Sequence, residues 1–121
     1  MNDVRGLAPI GYHIPTDSEW TTLLTTLGGY HVSGGKLKTV TGWGSPNTTG
    51  ATNSSGFAGL PGGFRNDLGT FGSVGFFGHW WSSTELSASD AWYRNLTYNT
   101  SGVYRSLIHK TYGFSVRCLR D

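Results

Sequence analysis

The chain has 121 residues, which is enough for one domain with a buried core of its own. Its formal net charge is +2 and only 13% of its residues are charged, so its composition does not favour binding to nucleic acid. No apolar run is long enough for insertion into a membrane, and residues 1–9 lack the apolar centre of an export signal. We therefore expect a single domain over residues 1–121, fused to or excised from a larger protein whose export signal lies upstream. The alternative is that Met1 starts a cytoplasmic protein.

Glycine and aromatic residues dominate the middle of the chain. The sequence contains 19 glycines and 14% aromatic residues, a composition typical of loop-rich β or α+β domains, and residues 56–85 concentrate both types. Glycine permits positive φ and close approach of other groups, while large rings bury much area with few residues. This segment therefore predicts short strands and tight loops around a small core.

The clearest predicted element is a helix over residues 17–27, preceded by an extended strand around residues 7–10. Thr16 and Glu19 have the spacing of a capping box, in which each side chain binds the backbone N–H of the other residue. Gly28 and Gly29 end the helix. One apolar stripe at helical spacing is expected to pack on a sheet: Trp20, Leu23, Leu24 and Leu27.

Two further segments separate this helix from the central stretch. Residues 33–40 predict a short second helix, and residues 41–55 form a polar Gly/Ser/Thr/Asn loop. Trp43 interrupts this loop with a large apolar ring, so we expect it to anchor the loop to the core.

Period-two alternation predicts strands in the C-terminal part. Residues 91–105 alternate and turn at residues 100–102, which indicates two paired strands. Residues 112–119 alternate again and predict a terminal strand with Phe114, Val116 and Cys118 facing inward. The tryptophans Trp43, Trp80, Trp81 and Trp92 are expected, with Phe114, to belong to the core.

No motif for catalysis or metal binding is evident. The four histidines lack metal-ligand spacing, and Cys118 is the only cysteine, so we expect no metal, no cofactor and no enzymatic activity. Two alternatives remain open. Asp67 and Glu85 could form an acid/base pair for glycoside hydrolysis, and the chain could be a degenerate hydrolase or oxidase.

The most informative segment for function is residues 86–112. It mixes Tyr, Asn, Ser and His with a Leu107–Ile108 pair, a composition like that of antibody paratopes, in which rigid rings accompany adaptable hydrogen-bonding groups. An exposed Leu107–Ile108 pair would be an apolar contact site. The alternative is that these are ordinary strand and loop residues. The candidate ligand-binding residues are Leu86, Ser87, Asp90, Tyr93, Asn95, Tyr104, Ser106, Leu107, Ile108, His109 and Tyr112.

Several motifs occur together in an order that resembles one known family. They are GYHIPTDSEW, GGKLK, GW, FAGLPGGFRN, WWSSTE, AWYRNL and GFSVRCLRD, and they cover residues 5–121. Together they resemble the Fibrobacter succinogenes major paralogous domain, a family similar to C-type lectin-like domains and to formylglycine-generating enzymes. The resemblance implies an α+β mixed fold with one clear N-terminal helix, an antiparallel sheet and long loops. It also implies that the N- and C-terminal strands pair.

Several features of those related proteins are missing from this sequence. Relatives commonly have a cysteine where this chain has Ala8, so Cys118 lacks the disulfide partner that the resemblance implies. A single cysteine cannot supply the active-site pair of the formylglycine-generating enzymes. The calcium-binding motifs Glu-Pro-Asn, Gln-Pro-Asp and Trp-Asn-Asp are absent as well. The resemblance therefore does not imply calcium-dependent sugar binding.

The terminal GFSVRC segment adds a second resemblance, to the variable proteins of diversity-generating retroelements. In those proteins, adenine randomisation of AAC or AAT codons reaches a restricted set of residues that excludes Trp, Met, Gln, Glu and Lys. All the candidate ligand-binding residues belong to the reachable set, whereas Trp92 and Lys110 do not. The resemblance implies a binding face diversified on a constant scaffold.

The function expected from the sequence is non-catalytic ligand binding by an adhesin or receptor-binding domain. Its partner would be a protein or glycan on a cell surface, and the domain itself would be extracellular, on the bacterial cell surface or at the tip of a phage tail fibre. The alternative is a structural domain of a larger bacterial surface protein without its own ligand.

Overall fold

The computed structural model describes residues 6–44 and 50–121. The elements follow the chain in the order β1 (Tyr12–His13), α1 (Asp17–Thr26), α2 (Ser33–Leu37), β2 (Phe64–Arg65), β3 (Phe71–Gly72), β4 (Phe77–Glu85), β5 (Asp90–Thr97), β6 (Val103–His109) and β7 (Leu119–Arg120). The strands form the antiparallel sheets β1–β7, β2–β3 and β4–β5–β6. The predicted mixture of helix and antiparallel sheet is confirmed. Neither helix in the described residues is long and apolar enough to span a bilayer.

Helix α1 begins with the predicted capping box. The Thr16 hydroxyl accepts a hydrogen bond from the Glu19 N–H at 3.1 Å, and the Glu19 carboxylate accepts one from the Thr16 N–H at 2.8 Å. The helix ends at Thr26, one residue before the predicted end. Its predicted apolar stripe does face the core: Trp20 and Leu24 are buried, and Leu23 and Leu27 pack beside them.

The core lies between α1 and one face of the β4–β5–β6 sheet. Its buried members are Trp20, Leu24, Leu37, Trp43, Trp80, Leu96 and Val103. Trp43 anchors its loop as predicted, because its ring is fully buried and its Nε1–H donates to the Gly59 carbonyl at 3.0 Å. The prediction that Trp81, Trp92 and Phe114 belong to this core is wrong, since all three are only half-buried.

Two predicted strands and one predicted helix differ from the structure. Residues 7–10 form bends and the start of a turn rather than a strand, because the Pro9 carbonyl accepts from the Tyr12 N–H and Gly11 has φ +81°. The second helix, α2, ends at Leu37, three residues early. Residues 45–49 of the predicted loop lie outside the described residues.

The predicted terminal strand over residues 112–119 is also wrong, because this segment changes partners along its length. Gly113 bridges to Arg65 and Ser115 to Trp80, and regular pairing begins only at β7. A chain that changes partner along its length cannot build one continuous ladder. Phe114, Val116 and Cys118 are accordingly half-buried rather than fully inward.

The two ends of the domain meet at His13. Strand β1 pairs with β7, which confirms the pairing that the resemblance implies. The His13 ring lies between two carboxylates, with Nδ1 2.7 Å from Asp121 and Nε2 2.9 Å from Glu19. Hydrogen bonds to Asp121 and then to Glu19 raise the pKa of His13 above its ordinary value of 6.5. Hydrogen bonds from the Thr16 N–H and then from His13 lower the pKa of Glu19 below 4.5.

We expect the contribution of His13 to stability to depend on pH. Protonated His13 can donate to both carboxylates, so its contribution is complete below about pH 6.5 and is lost as the pH rises through the raised folded-state pKa. The Glu19 contribution is present above about pH 4.5 and is lost in more acidic solution. Urea unfolding of wild type and His13→Gln should therefore differ most near pH 5.5 and much less near pH 8.5. A difference that does not change with pH would contradict this assignment.

Lys38 is fully buried beside the anchoring tryptophan. Its Nζ donates to the Thr100 carbonyl and lies 5.4 Å from the centre of the Trp43 ring. A neutral carbonyl and an aromatic ring replace the hydration of an ammonium group only in part. Burial therefore lowers the pKa of Lys38 to about 8.

Because Lys38 is buried, we expect the free energy of unfolding to rise at alkaline pH. Between about pH 8 and pH 10.5 the unfolded chain keeps the Lys38 proton that the folded chain has released, so the unfolding free energy increases with pH. The rise amounts to on the order of 3 kcal/mol at most. Lys38→Met should lack it, as measured by guanidinium unfolding at several pH values. Lys38→Met leaves every other ionisable side chain in place, so the difference between the two curves reports on Lys38.

Candidate functional site

The β4–β5–β6 sheet has two faces with different surroundings. Side chains alternate along each strand, and the register places cross-strand partners on the same face. Trp80, Arg94 and Arg105 lie on the face that packs against α1, which we call the helix face. Tyr93 and its neighbours lie on the opposite face, which we call the outer face. The outer face is therefore the side of the sheet that the helix leaves uncovered.

The structure brings about half of the candidate ligand-binding residues together. Tyr93 is opposite Ser106, and Asn95 is opposite Tyr104. The candidates on or against the outer face are Tyr93, Asn95, Tyr104, Ser106, Ile108 and Tyr112. The others lie elsewhere: Asp90, Leu107 and His109 occupy the alternate strand positions, and Leu86 and Ser87 lie in the turn between β4 and β5.

The expected apolar contact made jointly by Leu107 and Ile108 does not form. Both residues belong to β6, where consecutive side chains point to opposite faces, and both are half-buried. Leu107 is opposite Trp92 and Ile108 is opposite Ala91. The two aliphatic side chains therefore contribute to two different surfaces.

An aromatic cluster covers the part of the outer face that lies over β4. The Phe114 ring lies 4.7 Å from the His79 ring, 4.6 Å from Trp81 and 4.8 Å from Tyr93, measured between centroids. Phe64 and Tyr112 extend the cluster. Burial lowers the pKa of His79, so its ring is neutral at neutral pH. His79 was not among the residues predicted for this surface. It precedes the buried Trp80 in the same strand, and consecutive side chains face opposite sides of a sheet, so the sequence could have indicated its position.

The path of the chain after β6 explains why this cluster forms. Strand β6 is one edge of the sheet, whereas Ser115 bridges to Trp80 of β4 at the other edge. Residues 109–115 therefore cross the sheet and bring Tyr112 and Phe114 onto its outer face. Beside them, Tyr104 and Ser106 on β6 remain exposed. The open part of the face thus presents a ring and hydroxyls, whereas Asn95 is half-buried and its Nδ2 already donates to the Gly78 carbonyl at 3.1 Å.

A charged cluster joins the helix face to α1. Arg94 Nη2 donates to Asp17 Oδ1 at 2.8 Å and to the Asp17 carbonyl at 3.0 Å. Arg105 Nε donates to Asp17 Oδ2 at 2.8 Å, and its guanidinium lies 3.4 Å from the centre of the Trp92 ring. The sequence explained Asp17 only as an acidic residue in the first turn of a helix. Its partners are distant in sequence, so no local signal could reveal them.

Replacing Asp17 should destabilise the fold strongly. Arg94 is buried, and burial already lowers its pKa, so loss of its carboxylate partner leaves an uncompensated charge. We expect Asp17→Ala to lower the unfolding free energy by about 3–5 kcal/mol, measured by urea unfolding. Adding Arg94→Met should restore part of the loss, because the unpaired charge is then absent. A loss below about 1 kcal/mol would show that the pair behaves like an exposed salt bridge.

The arrangement of carboxylates gives no support to glycoside hydrolysis. Glu85 lies 2.9 Å from Lys110 Nζ, and this hydrogen bond lowers the pKa of Glu85, whereas a general acid needs a raised one. Asp67 lies in the exposed turn between β2 and β3. In the described parts of the chain, no three His, Cys, Asp or Glu side chains are arranged to hold a metal ion.

Cys118 is a free, half-buried thiol in a cleft of about 300 Å³. Trp20 and Leu23 of α1, Phe57 and residues 117–119 line this cleft, which is mostly apolar. The Arg117 guanidinium covers the Phe57 ring at 4.7 Å from its centre. Cys118 thus lies beside the core rather than within it.

Comparison with known families gives one match. The family model described as the Fibrobacter succinogenes major domain matches residues 1–120, nearly the whole chain. Searches of curated proteins and of solved structures gave no match.

Proposed function

The chain belongs to the Fibrobacter succinogenes major domain family, and we propose that it is a non-catalytic ligand-binding domain that uses the outer face of its β4–β5–β6 sheet. One observation carries the proposal. The strand register gathers Tyr93, Asn95, Tyr104 and Ser106 on the face opposite α1, so residues that contribute little to the core form one surface.

The chemistry of this surface suits recognition of a protein or a glycan. Tyr104 is 50% exposed, and its ring offers a large contact area at low cost in conformational entropy. The hydroxyls of Ser106 and Tyr104 provide hydrogen-bonding groups, while the aromatic cluster around Phe114 gives the surface a rigid border. None of these side chains is poised as a general acid or base. A face with these groups is suited to binding a ligand rather than to catalysing a reaction.

Two finer elements belong to the same proposal. The fold is of the C-type lectin-like type, supported by the pairing of β1 with β7 and by the long loop region between α2 and β2. The outer face is diversified in the manner of retroelement variable proteins, supported by the exposure of Tyr104 and Ser106. The domain then acts on a bacterial cell surface or a virion tail, as part of a larger adhesin or receptor-binding protein.

Diversification can be tested on DNA. We expect the locus to contain a near-identical repeat of the segment that encodes residues 86–117, differing at adenines and lying near a reverse-transcriptase gene. The differing codons should include those for Tyr93, Asn95, Tyr104 and Ser106. A complete locus without such a repeat would contradict diversification and favour the structural-domain alternative.

Ligand binding can be tested with a glycan array and a display library of bacterial surface proteins. For any glycan or protein that binds, Tyr104→Ala and Ser106→Arg should each weaken binding by about tenfold or more, measured by biolayer interferometry. Thr26→Arg is the matched control, because it adds the same side chain at an exposed position on α1. Equal loss in the control, or no loss in either outer-face variant, would place the ligand elsewhere. No binding to either collection would favour the structural-domain alternative.

A further inference from the structure

Strand β6 leaves one of its edges open. The strand pairs with β5 on one side only, because it is the last strand of the β4–β5–β6 sheet. At its start, the Val103 N–H points away from β5 and donates to the Tyr30 carbonyl at 2.8 Å. Just beyond its end, the Lys110 N–H donates to the Ser89 carbonyl on the β5 side at 2.8 Å. These two contacts fix the direction of every backbone group in between.

Backbone groups of antiparallel strands alternate between the two sides. Since the Val103 N–H points outward, the N–H and C=O groups of Arg105 and Leu107 point outward as well. In the described part of the chain these groups have no hydrogen-bond partner. The open stretch ends at His109, whose carbonyl accepts from the Tyr112 N–H at 3.1 Å. An extended backbone beside β6 would satisfy the open groups.

A groove lies next to this open edge on the helix face. Its volume is about 380 Å³, and it is lined by Leu24 and Thr25 of α1, by Tyr30, and by Val103, Tyr104 and Arg105 of β6. The lining is mainly apolar, and the volume is sufficient for a large side chain. Arg94 lies at its base, almost fully buried, with an Nε–H that has no partner. The groove thus combines an apolar wall with an excess of positive charge.

Arg105 gives the groove a preference for negative charge. Two guanidinium groups, of Arg94 and Arg105, share the single carboxylate of Asp17. Trp92 and Asp17 hold the Arg105 side chain in place through its ring contact and its Nε–H, and the rest of the guanidinium is exposed toward the groove. A guanidinium fixed in this way can bind a carboxylate through charge-assisted hydrogen bonds. Because its side chain is already ordered, binding costs little further conformational entropy.

We infer that the open edge of β6 and the adjacent groove form a docking site for an extended acidic peptide segment of another protein. The segment adds a strand beside β6 and hydrogen-bonds to Arg105 and Leu107. It places an apolar side chain in the groove and an acidic side chain against the Arg105 guanidinium. Both contacts lie on the helix face, so the two partner residues are two positions apart in the segment. The site adjoins the outer face at Tyr104, which also lines the groove, but the contacts at the β6 edge and on the helix face do not depend on the function proposed for the outer face.

The test begins with a phage-displayed library of random peptides selected on the whole domain. We expect the selected peptides to share an apolar and an acidic residue separated by one position. On binding a selected peptide, the Arg105 and Leu107 amides should gain protection from hydrogen exchange. The Tyr104 and Ser106 amides should change little, because they already face β5. Added salt should weaken binding, since the acidic contact is partly exposed.

Three variants separate this site from other surfaces. Leu107→Pro removes an outward N–H without breaking the pairing with β5, and Thr25→Arg fills the groove from an exposed position on α1. Each should weaken peptide binding by about tenfold or more in fluorescence polarisation. Thr26→Arg, which adds the same side chain at an exposed position of α1 outside the groove, should leave it unchanged. Thermal melts of each variant show whether the fold is intact.

Three results would overturn the inference. One is a selection that yields no peptide with the expected spacing. Another is peptide binding that survives both Leu107→Pro and Thr25→Arg. The third is a concentration-dependent dimer in sedimentation equilibrium that Leu107→Pro abolishes, because the occupant of the edge would then be a second copy of this chain.

Discussion

The carboxylate of Asp17 connects the first turn of α1 to two strands of the sheet. One oxygen accepts from the buried Arg94 of β5 and the other from Arg105 of β6. Apolar burial of Trp20 and Leu24 holds the helix against the sheet, but burial alone is non-directional. The charged contacts set the position at which the helix begins. They also place Arg105 beside the groove, so the proposed peptide site and the packing of the domain depend on the same residue.

Because α1 occupies the helix face, the opposite face is left to the loops and the C-terminal segment. That segment crosses the sheet and adds Phe114 to a cluster with His79, Trp81 and Tyr93. The cluster has no helix to cover it and is only half-buried. A rigid aromatic border beside exposed Tyr and Ser side chains is suited to recognition, which is why the proposed function rests on this face.

The long loops depend on a few close contacts. The Trp43 ring is buried and bound to the Gly59 carbonyl, and α2 approaches the turn after β5 so closely that a Cβ on Gly34 would lie 2.4 Å from the Gly102 carbonyl. A contact this close explains why glycine occupies position 34. Both contacts join residues far apart in sequence. Composition can show that such a segment is a loop, but it cannot show where the loop is held.

The sequence by itself determined the family, the capped helix with its apolar stripe, the buried Trp43 and the paired strands β5 and β6. Each of these has a local signal: a capping box, a helical or period-two spacing, or a run of motifs in order. The tertiary structure decided which candidate residues meet. Leu107 and Ile108 are adjacent in sequence but lie on opposite faces, and Asp17 meets Arg94 and Arg105 only after the helix packs. The terminal segment alternates like a strand but changes partners, because its neighbours are set by the path of the whole chain. Local periodicity specifies the direction of side chains within an element, whereas the surface they form depends on how the elements pack.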